Sequence, residues 1–277
     1  MTMAMDAAVR GPVGIFDSGI GGLTVAAAVR RKLGHEDIFY LGDTARVPYG
    51  GKSRTTVERY SIEISGLLLA EGAKVIVVAC NTASALALEK LRTLFRAPIL
   101  GVVAPGAEAA ARRTSNGKIG VIGTRATIAS GAYERAIRHF EPKAEVFSAA
   151  CPLLVPLIEE GMLEDPVTDA VLSRYLEPLL VKGIDTLVLG CTHYPLAAPA
   201  VARMAGPDIR LVDSAENCAD TLVALLKQKH LEQPDLLRAG HLRVAFTDPA
   251  DHFLGVAAGS LGLEMEKVEL RSVQAGS

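Results

Sequence analysis

The sequence predicts an α/β protein built as two similar domains, each a mainly parallel sheet flanked by helices. A pseudo-twofold axis relates the domains, with a cleft between them. Three observations point this way. Strand-like and helix-like segments alternate along almost the whole chain, the pattern of parallel sheets covered by helices. Strand-like runs such as Val75–Ala79 hold almost no polar residue, as strands buried on both faces require. Finally, the chain repeats itself: Val75–Thr82 reads VIVVACNT and Thr186–His193 reads TLVLGCTH. In each copy a run of β-formers ends at a small residue, followed by Cys, polar residues and a helix-like segment.

In chain order, Val13–Asp17 is a first strand and Thr24–Leu33 its helix, stopped by Gly34. Ile38–Leu41 is a second strand. Thr56–Ala70 has helical periodicity and ends at Gly72. Val75–Ala79 is a strand, Ser84–Phe95 its helix and Pro98–Val102 another strand. The second half starts after Pro105. It offers a strand at Ile119–Gly123, a helix at Thr127–Phe140 and a short strand at Glu145–Ser148. Pro166–Lys182 is a helix despite Pro178, which has no N–H for an interior position. Thr186–Leu189 is a strand, Leu196–Met204 a helix and Arg210–Val212 a strand. The tail adds a helix at Asn217–Lys227, a surface connection over Gln228–Gly240, a strand at Leu242–Thr247 and a last one at Lys267–Arg271.

The repeat extends beyond the cysteine segments. Gly14-Ile15-Phe16-Asp17-Ser18-Gly19 opens the first half and Gly120-Val121-Ile122-Gly123-Thr124-Arg125 the second. Asp17 precedes Cys80 by 63 residues, and Thr124 precedes Cys191 by 67. Two βα modules at such similar spacing point to duplication. The expected boundaries are 1–106 plus 216–277 for the unit with Asp17 and Cys80, and 107–215 for the unit with Cys191 and His193.

Composition narrows the function. Of 277 residues, 49% are hydrophobic and 22% charged, ordinary for a packed protein of one large or two moderate domains. The formal charge is -2 with both signs interspersed, so no basic stripe suggests nucleic acid. No apolar run is long enough for a membrane span, and the first ten residues lack the apolar core of a secretory signal. The expectation is a cytoplasmic protein. Its cysteines, at 80, 151, 191 and 218, are widely spaced and form no C-x-x-C pair, which argues against structural zinc and disulfides. Cys151 and Cys218 read as small buried hydrophobes.

Cys80 and Cys191 escape that default because their contexts match. A thiol at the C-terminal end of a parallel strand sits where α/β proteins bind ligands. Each stands just before a helix, whose partial positive charge favours thiolate. Asn81-Thr82 and Thr192-His193 can hydrogen-bond a carboxylate or polarise the thiol. Cys191 with His193 would also suit a cysteine hydrolase, but a hydrolase needs one thiol and this chain offers two in equivalent places. Asp17-Ser18-Gly19-Ile20-Gly21-Gly22 lies between a strand and a helix, as an anion-binding turn would. It lacks G-x-G-x-x-G spacing, though, and the Asp17 carboxylate repels phosphate and suits an ammonium group. Gly50-Gly51-Lys52-Ser53 is no P-loop, because Arg46 occupies the place of its first glycine. Glu159 and Glu160 close an apolar run; one reads as a solvated helix end and the other as an acid near His193.

Together these segments resemble the glutamate racemase family. The resemblance runs through Gly14–Leu23, Asp43–Gly50, Ala79–Ser84, Gly120–Thr124, Cys151–Leu153, Leu189–Leu196 and Leu211–Ser214. It implies a two-domain fold with the active site between domains, a homodimer, and D-glutamate made for peptidoglycan without cofactor or metal. It implies Cys80 and Cys191 as the two acid/base residues, with Asp17 assisting the first and His193 the second. Cys191 would take the proton from L-glutamate and Cys80 from D-glutamate. Asp17, Ser18, Pro48, Tyr49, Gly50, Asn81, Thr82, Thr124, Thr192 and His193 would bind substrate, and Glu159 fits the family's pattern better than Glu160. An aspartate racemase on the same fold, a single-cysteine decarboxylase or isomerase, and a binding protein without chemistry are the competing classes.

Overall fold

The computed structural model describes residues 9–249, 261–263 and 268–273. Among the described residues ten strands form two sheets, and every pairing is parallel. The first sheet contains β1 (Val13–Asp17), β2 (Ile38–Gly42), β3 (Val75–Val78), β4 (Ile99–Gly101), β9 (Leu242–Phe246) and β10 (Val268–Leu270), in the order β10-β9-β2-β1-β3-β4. The second contains β5 (Lys118–Gly123), β6 (Glu145–Ala150), β7 (Thr186–Gly190) and β8 (Arg210–Asp213), in the order β6-β5-β7-β8. Apart from β9 and β10, the two orders match strand for strand. Each reverses direction of growth at its centre, between β1 and β3 and between β5 and β7. That reversal opens a crevice at the carboxyl ends of the strands. Cys80 lies just beyond β3 and Cys191 just beyond β7.

Helices cover the sheets: α1 (Leu23–Lys32), α2 (Arg54–Ala70), α3 (Asn81–Leu86), α4 (Leu88–Leu94), α5 (Val103–Arg113), α6 (Arg125–Ala129), α7 (Ala132–Phe140), α8 (Leu154–Glu159), α9 (Pro166–Leu180), α10 (Ala198–Ala205) and α11 (Ser214–Lys229). Several depart from expectation. α5 was unforeseen, since the second half was expected to start after Pro105 with a strand at Ile119–Gly123. Pro105 falls in the first turn, however, where its missing N–H has no intrahelical partner to lose. Ser84–Phe95 is two helices meeting at Ala87, and Thr127–Phe140 is two helices meeting at Gly131, whose φ of 64° suits glycine. Pro178 lies inside α9, as the apolar face of the helix demanded. Cys191 is followed by a four-residue 3-10 turn, Tyr194–Ala197, before α10 begins, so its helix terminus is weaker than that of Cys80. Residues 1–8 and Lys267 lie outside the described residues.

The main hydrophobic core runs from Val13 through Leu189 to Phe246 and so joins the two sheets. α11 packs on both α1 and α5, bridging the halves. Cys151 and Cys218 are fully buried. Among the described residues no helix is long and apolar enough to cross a membrane.

The Gln228–Gly240 connection is not wholly superficial. α11 takes its first two residues, and the Gln233 N–H donates to Glu36 Oε1 at 2.8 Å. The other Glu36 oxygen accepts from Lys74 Nζ at 2.5 Å, and both side chains are sealed from solvent. Lys74 also donates to the Val9 carbonyl at 2.9 Å. Burial draws the Lys74 pKa below its usual value against the pull of Glu36. Removing one partner strands a buried charge, so Glu36→Ala should cost about 3–5 kcal/mol by urea unfolding, and Glu36→Leu with Lys74→Met far less. A single-variant cost below about 1 kcal/mol would show that the pair is not effectively desolvated.

Candidate active site

The carboxyl ends of β1, β3, β5 and β7 converge on one cavity of about 400 Å³. Ser18, Pro48, Tyr49, Gly50, Cys80, Asn81, Thr82, Thr124, Glu159, Cys191, Thr192 and His193 all line it. Asp17 does not. It is fully buried one layer behind, accepting from the Gly19 N–H at 3.0 Å and from Thr192 Oγ1 at 3.3 Å. Burial raises the Asp17 pKa, while the His193 charge, the Gly19 and Gly22 N–H groups and the Thr192 hydroxyl hold it down.

Cys80 caps the start of α3, its sulfur accepting from the Ala83 N–H at 3.5 Å and its thiol donating to Ser18 Oγ at 3.5 Å. The helix terminus was expected to favour thiolate. Burial prevails, reinforced by the Asp17 charge, and the Cys80 pKa is pushed up to about 12. Cys191 has a different neighbour: its sulfur lies 3.8 Å from His193 Nδ1. His193 Nε2 lies 2.9 Å from Glu159 Oε1, which settles the choice between the adjacent glutamates. Burial alone would lower the His193 pKa, but Cys191 and Glu159 outweigh it and push it up to about 10. The ring sits between sulfur and carboxylate, both of which favour its protonated form. Gly21 gives it room, since a Cβ there would lie 2.4 Å from His193 Nδ1.

Both halves build the polar wall. The Thr82 hydroxyl meets those of Thr124 at 2.9 Å and Thr127 at 3.1 Å across the seam. Tyr133 on α7 donates to Asn81 Oδ1 at 2.6 Å, while Asn81 Nδ2 is buried with no hydrogen-bond partner. A buried orphan donor in a cavity wall is costly unless a ligand meets it. The Tyr49–Gly51 turn closes the wall. The Tyr49 hydroxyl donates to the buried Asp43 carboxylate, which also accepts from Arg46 Nε at 2.7 Å and Thr247 Oγ1 at 2.9 Å. Gly50 approaches the other half so closely that a Cβ would stand 2.7 Å from Thr124 Cβ.

Val47, in the Arg46–Gly50 stretch that reads as a rigid cleft loop, also lines the cavity, as do Gly51, Arg125, Pro152, Val155 and Pro156, which sequence reasoning overlooked. The prolines and valines carry no chemical signature, but Arg125, next to Thr124, was open to notice. Among the described residues no group of His, Cys, Asp and Glu converges as metal ligands.

Two matched parallel α/β halves, each contributing a strand-end thiol to a shared cavity, define the class: an amino-acid racemase fold. A family model for Asp/Glu/hydantoin racemases matches residues 24–222. The glutamate racemase of Syntrophus aciditrophicus is 46% identical over 258 residues, covering 93% of this chain and 95% of the relative. Glutamate racemase isoform RacE1 from Bacillus anthracis superposes with a TM-score of 0.90 at 37% identity, covering 95% of this chain and 98% of that one. The Francisella tularensis glutamate racemase, solved with D-glutamate, gives 0.89 at 35% identity, covering 96% and 98%. The chain belongs to the Asp/Glu/hydantoin racemase family, in its glutamate racemase branch, and is an isomerase.

Proposed function

We propose that the protein interconverts L- and D-glutamate without a cofactor, by proton transfer between two thiols, and so supplies D-glutamate for peptidoglycan. The observation that carries this is the pair Cys80 and Cys191, one from each matched strand end, lining a single cavity. Inversion at carbon needs a base on one face and an acid on the other. The environments of the thiols supply both at once. Cys80, pushed up to about 12, is a proton donor at neutral pH. Cys191 has His193 Nδ1 3.8 Å from its sulfur, a partner that Cys80 lacks. In the L-to-D direction Cys191 takes the α-proton and Cys80 returns one to the opposite face; the D-to-L direction runs the reverse.

The α-proton is a very weak acid, so developing carbanion charge must be stabilised by groups already in place. The Asn81 amide, the hydroxyls of Thr82, Thr124 and Thr192, and the Tyr49–Gly50 backbone are the donors for the two carboxylates. Ser18, with the Asp17 carboxyl behind Thr192, suits the ammonium group. Cys80, Asn81, Thr82, Cys191, Thr192 and His193 are all buried, and a low local dielectric strengthens interactions made there. Asp17 assists Cys80, whose thiol reaches Ser18 next to it in sequence, and His193 with Glu159 assists Cys191.

The same proposal divides the chain into units 1–106 with 216–277, and 107–215, in keeping with the membership of the two sheets. It also places a homodimer in the cytoplasm; sedimentation of a monomer at micromolar concentration would remove the dimer. The function is tested on purified protein in D₂O with no added cofactor, following optical activity and the α-proton signal. Both glutamate enantiomers should invert and gain solvent deuterium at Cα, with aspartate inert. Exchange of aspartate alone would transfer the protein to aspartate racemisation, and exchange of neither would return both cysteines to packing.

A further inference from the structure

Arg125 lines the cavity shared by Cys80 and Cys191 yet takes no part in the chemistry above. It occupies the first position of α6, directly after Thr124, whose hydroxyl caps that helix. α6 packs on the Tyr49–Gly51 turn of the other half, so Arg125 stands at the seam where the halves meet over the cavity. It is exposed, whereas both thiols are buried deep in the wall. Among the described residues no hydrogen bond or ion pair ties its guanidinium down.

The charge balance gives this cation a task. Glutamate carries two carboxylates and one ammonium group, a net negative charge. His193 is already engaged with Glu159 and Cys191, the Asp17 carboxyl lies just behind the wall, and Arg125 is the one Arg or Lys side chain in the described lining. An anion entering such a site is opposed unless a further cation meets it. The α-carbon must lie deep, between the thiols, which turns the distal carboxylate outward towards the seam.

We infer that Arg125 captures the substrate's side-chain carboxylate at the mouth of the cavity and thereby selects a dicarboxylic amino acid over a neutral one. This rests on the glutamate reading of the site. A guanidinium suits the task, because its planar fork grips a carboxylate through two parallel hydrogen bonds and never loses its charge. Contact with a group remote from the reacting carbon acts equally on ground and transition states, so the effect falls on KM and leaves kcat.

The test compares wild type, Arg125→Gln and Arg125→Lys by calorimetric titration with D-glutamate and by racemisation of both enantiomers, at low and high salt. Glutamine serves as a neutral competitor. Arg125→Gln should raise Kd and KM about tenfold in both directions with kcat within about twofold. It should erase the preference for glutamate over glutamine and flatten the salt dependence of kcat/KM, while Arg125→Lys recovers part of the loss. Unchanged Kd and KM, or a loss confined to kcat, would overturn the assignment. If wild type binds glutamate but does not invert it, the function fails while the affinity comparison still judges Arg125; if it binds no glutamate, both fall.

Discussion

Cys80→Ala and Cys191→Ala should each lower net inversion of glutamate by at least about 10³-fold, the scale of a lost acid/base group at a reacting carbon. The loss should be equally severe for both variants, because either thiol is indispensable to delivering a proton to the face opposite the one that lost it. What remains should differ. Cys80→Ala keeps the group assigned to L-glutamate, so in D₂O it should wash deuterium slowly into L-glutamate with retention. Cys191→Ala should do so for D-glutamate. Mass spectrometry of the recovered, chirally resolved amino acid makes the distinction. Near wild-type inversion by either variant would end the two-base scheme. Both thiols are small and sit at a cavity wall, so truncation should leave the urea midpoint within reach of wild type.

His193→Asn and Asp17→Asn should lower turnover by about 10²-fold, each through a different thiol. His193 is in contact with Cys191, so its loss should make proton removal from L-glutamate more rate-limiting and raise the α-deuterium isotope effect measured from that enantiomer. Asp17→Asn should do the same from D-glutamate. Equal isotope effects from both enantiomers in both variants would dissolve the separate assignments. The His193 variant also carries a pH signature. The folded-state pKa of His193 stands at about 10 against the ordinary 6.5, so the folded protein holds a proton that the unfolded chain releases. The stability this confers is fully present below about pH 6.5 and is lost as pH rises through about 10. The urea-midpoint advantage of wild type over His193→Asn should shrink across that window, with no comparable change below it.

Much of the fold was legible because buried parallel strands announce themselves. The segments now seen as β1, β3, β5 and β7 are apolar runs closed by small or polar residues, and they fixed both sheets and the crevice. Less legible were features decided by a single backbone position. Pro105 hid α5 because proline is a breaker only beyond the first turn, and Gly131 split a helix that periodicity alone would continue. The candidate site was legible wherever a residue type carries chemistry: the thiols, His193, Asn81 and the threonines. Glu159 was favoured over Glu160 by resemblance alone, because its contact with His193 depends on which way α8 turns. Asp17 read as a cleft carboxylate, and the structure sets it one layer back, behind Thr192. Val47, Pro152, Val155 and Pro156 act by shape, for which a sequence offers no signature.

The matched strand orders of the two sheets have a thermodynamic counterpart. Enantiomers in water have the same free energy, so a racemase has an equilibrium constant of one, and the Haldane relation makes kcat/KM identical in the two directions for wild type and every variant. A protein that brings the same βα unit to one cavity from each half is a scaffold already close to that symmetry. Its departures from symmetry, Ser18 beside one sulfur and His193 with Glu159 beside the other, cannot bias the position of equilibrium. They can only redistribute cost between binding and turnover, so the ratio of the two enantiomers' kcat values must equal the ratio of their KM values, however different the two thiols become.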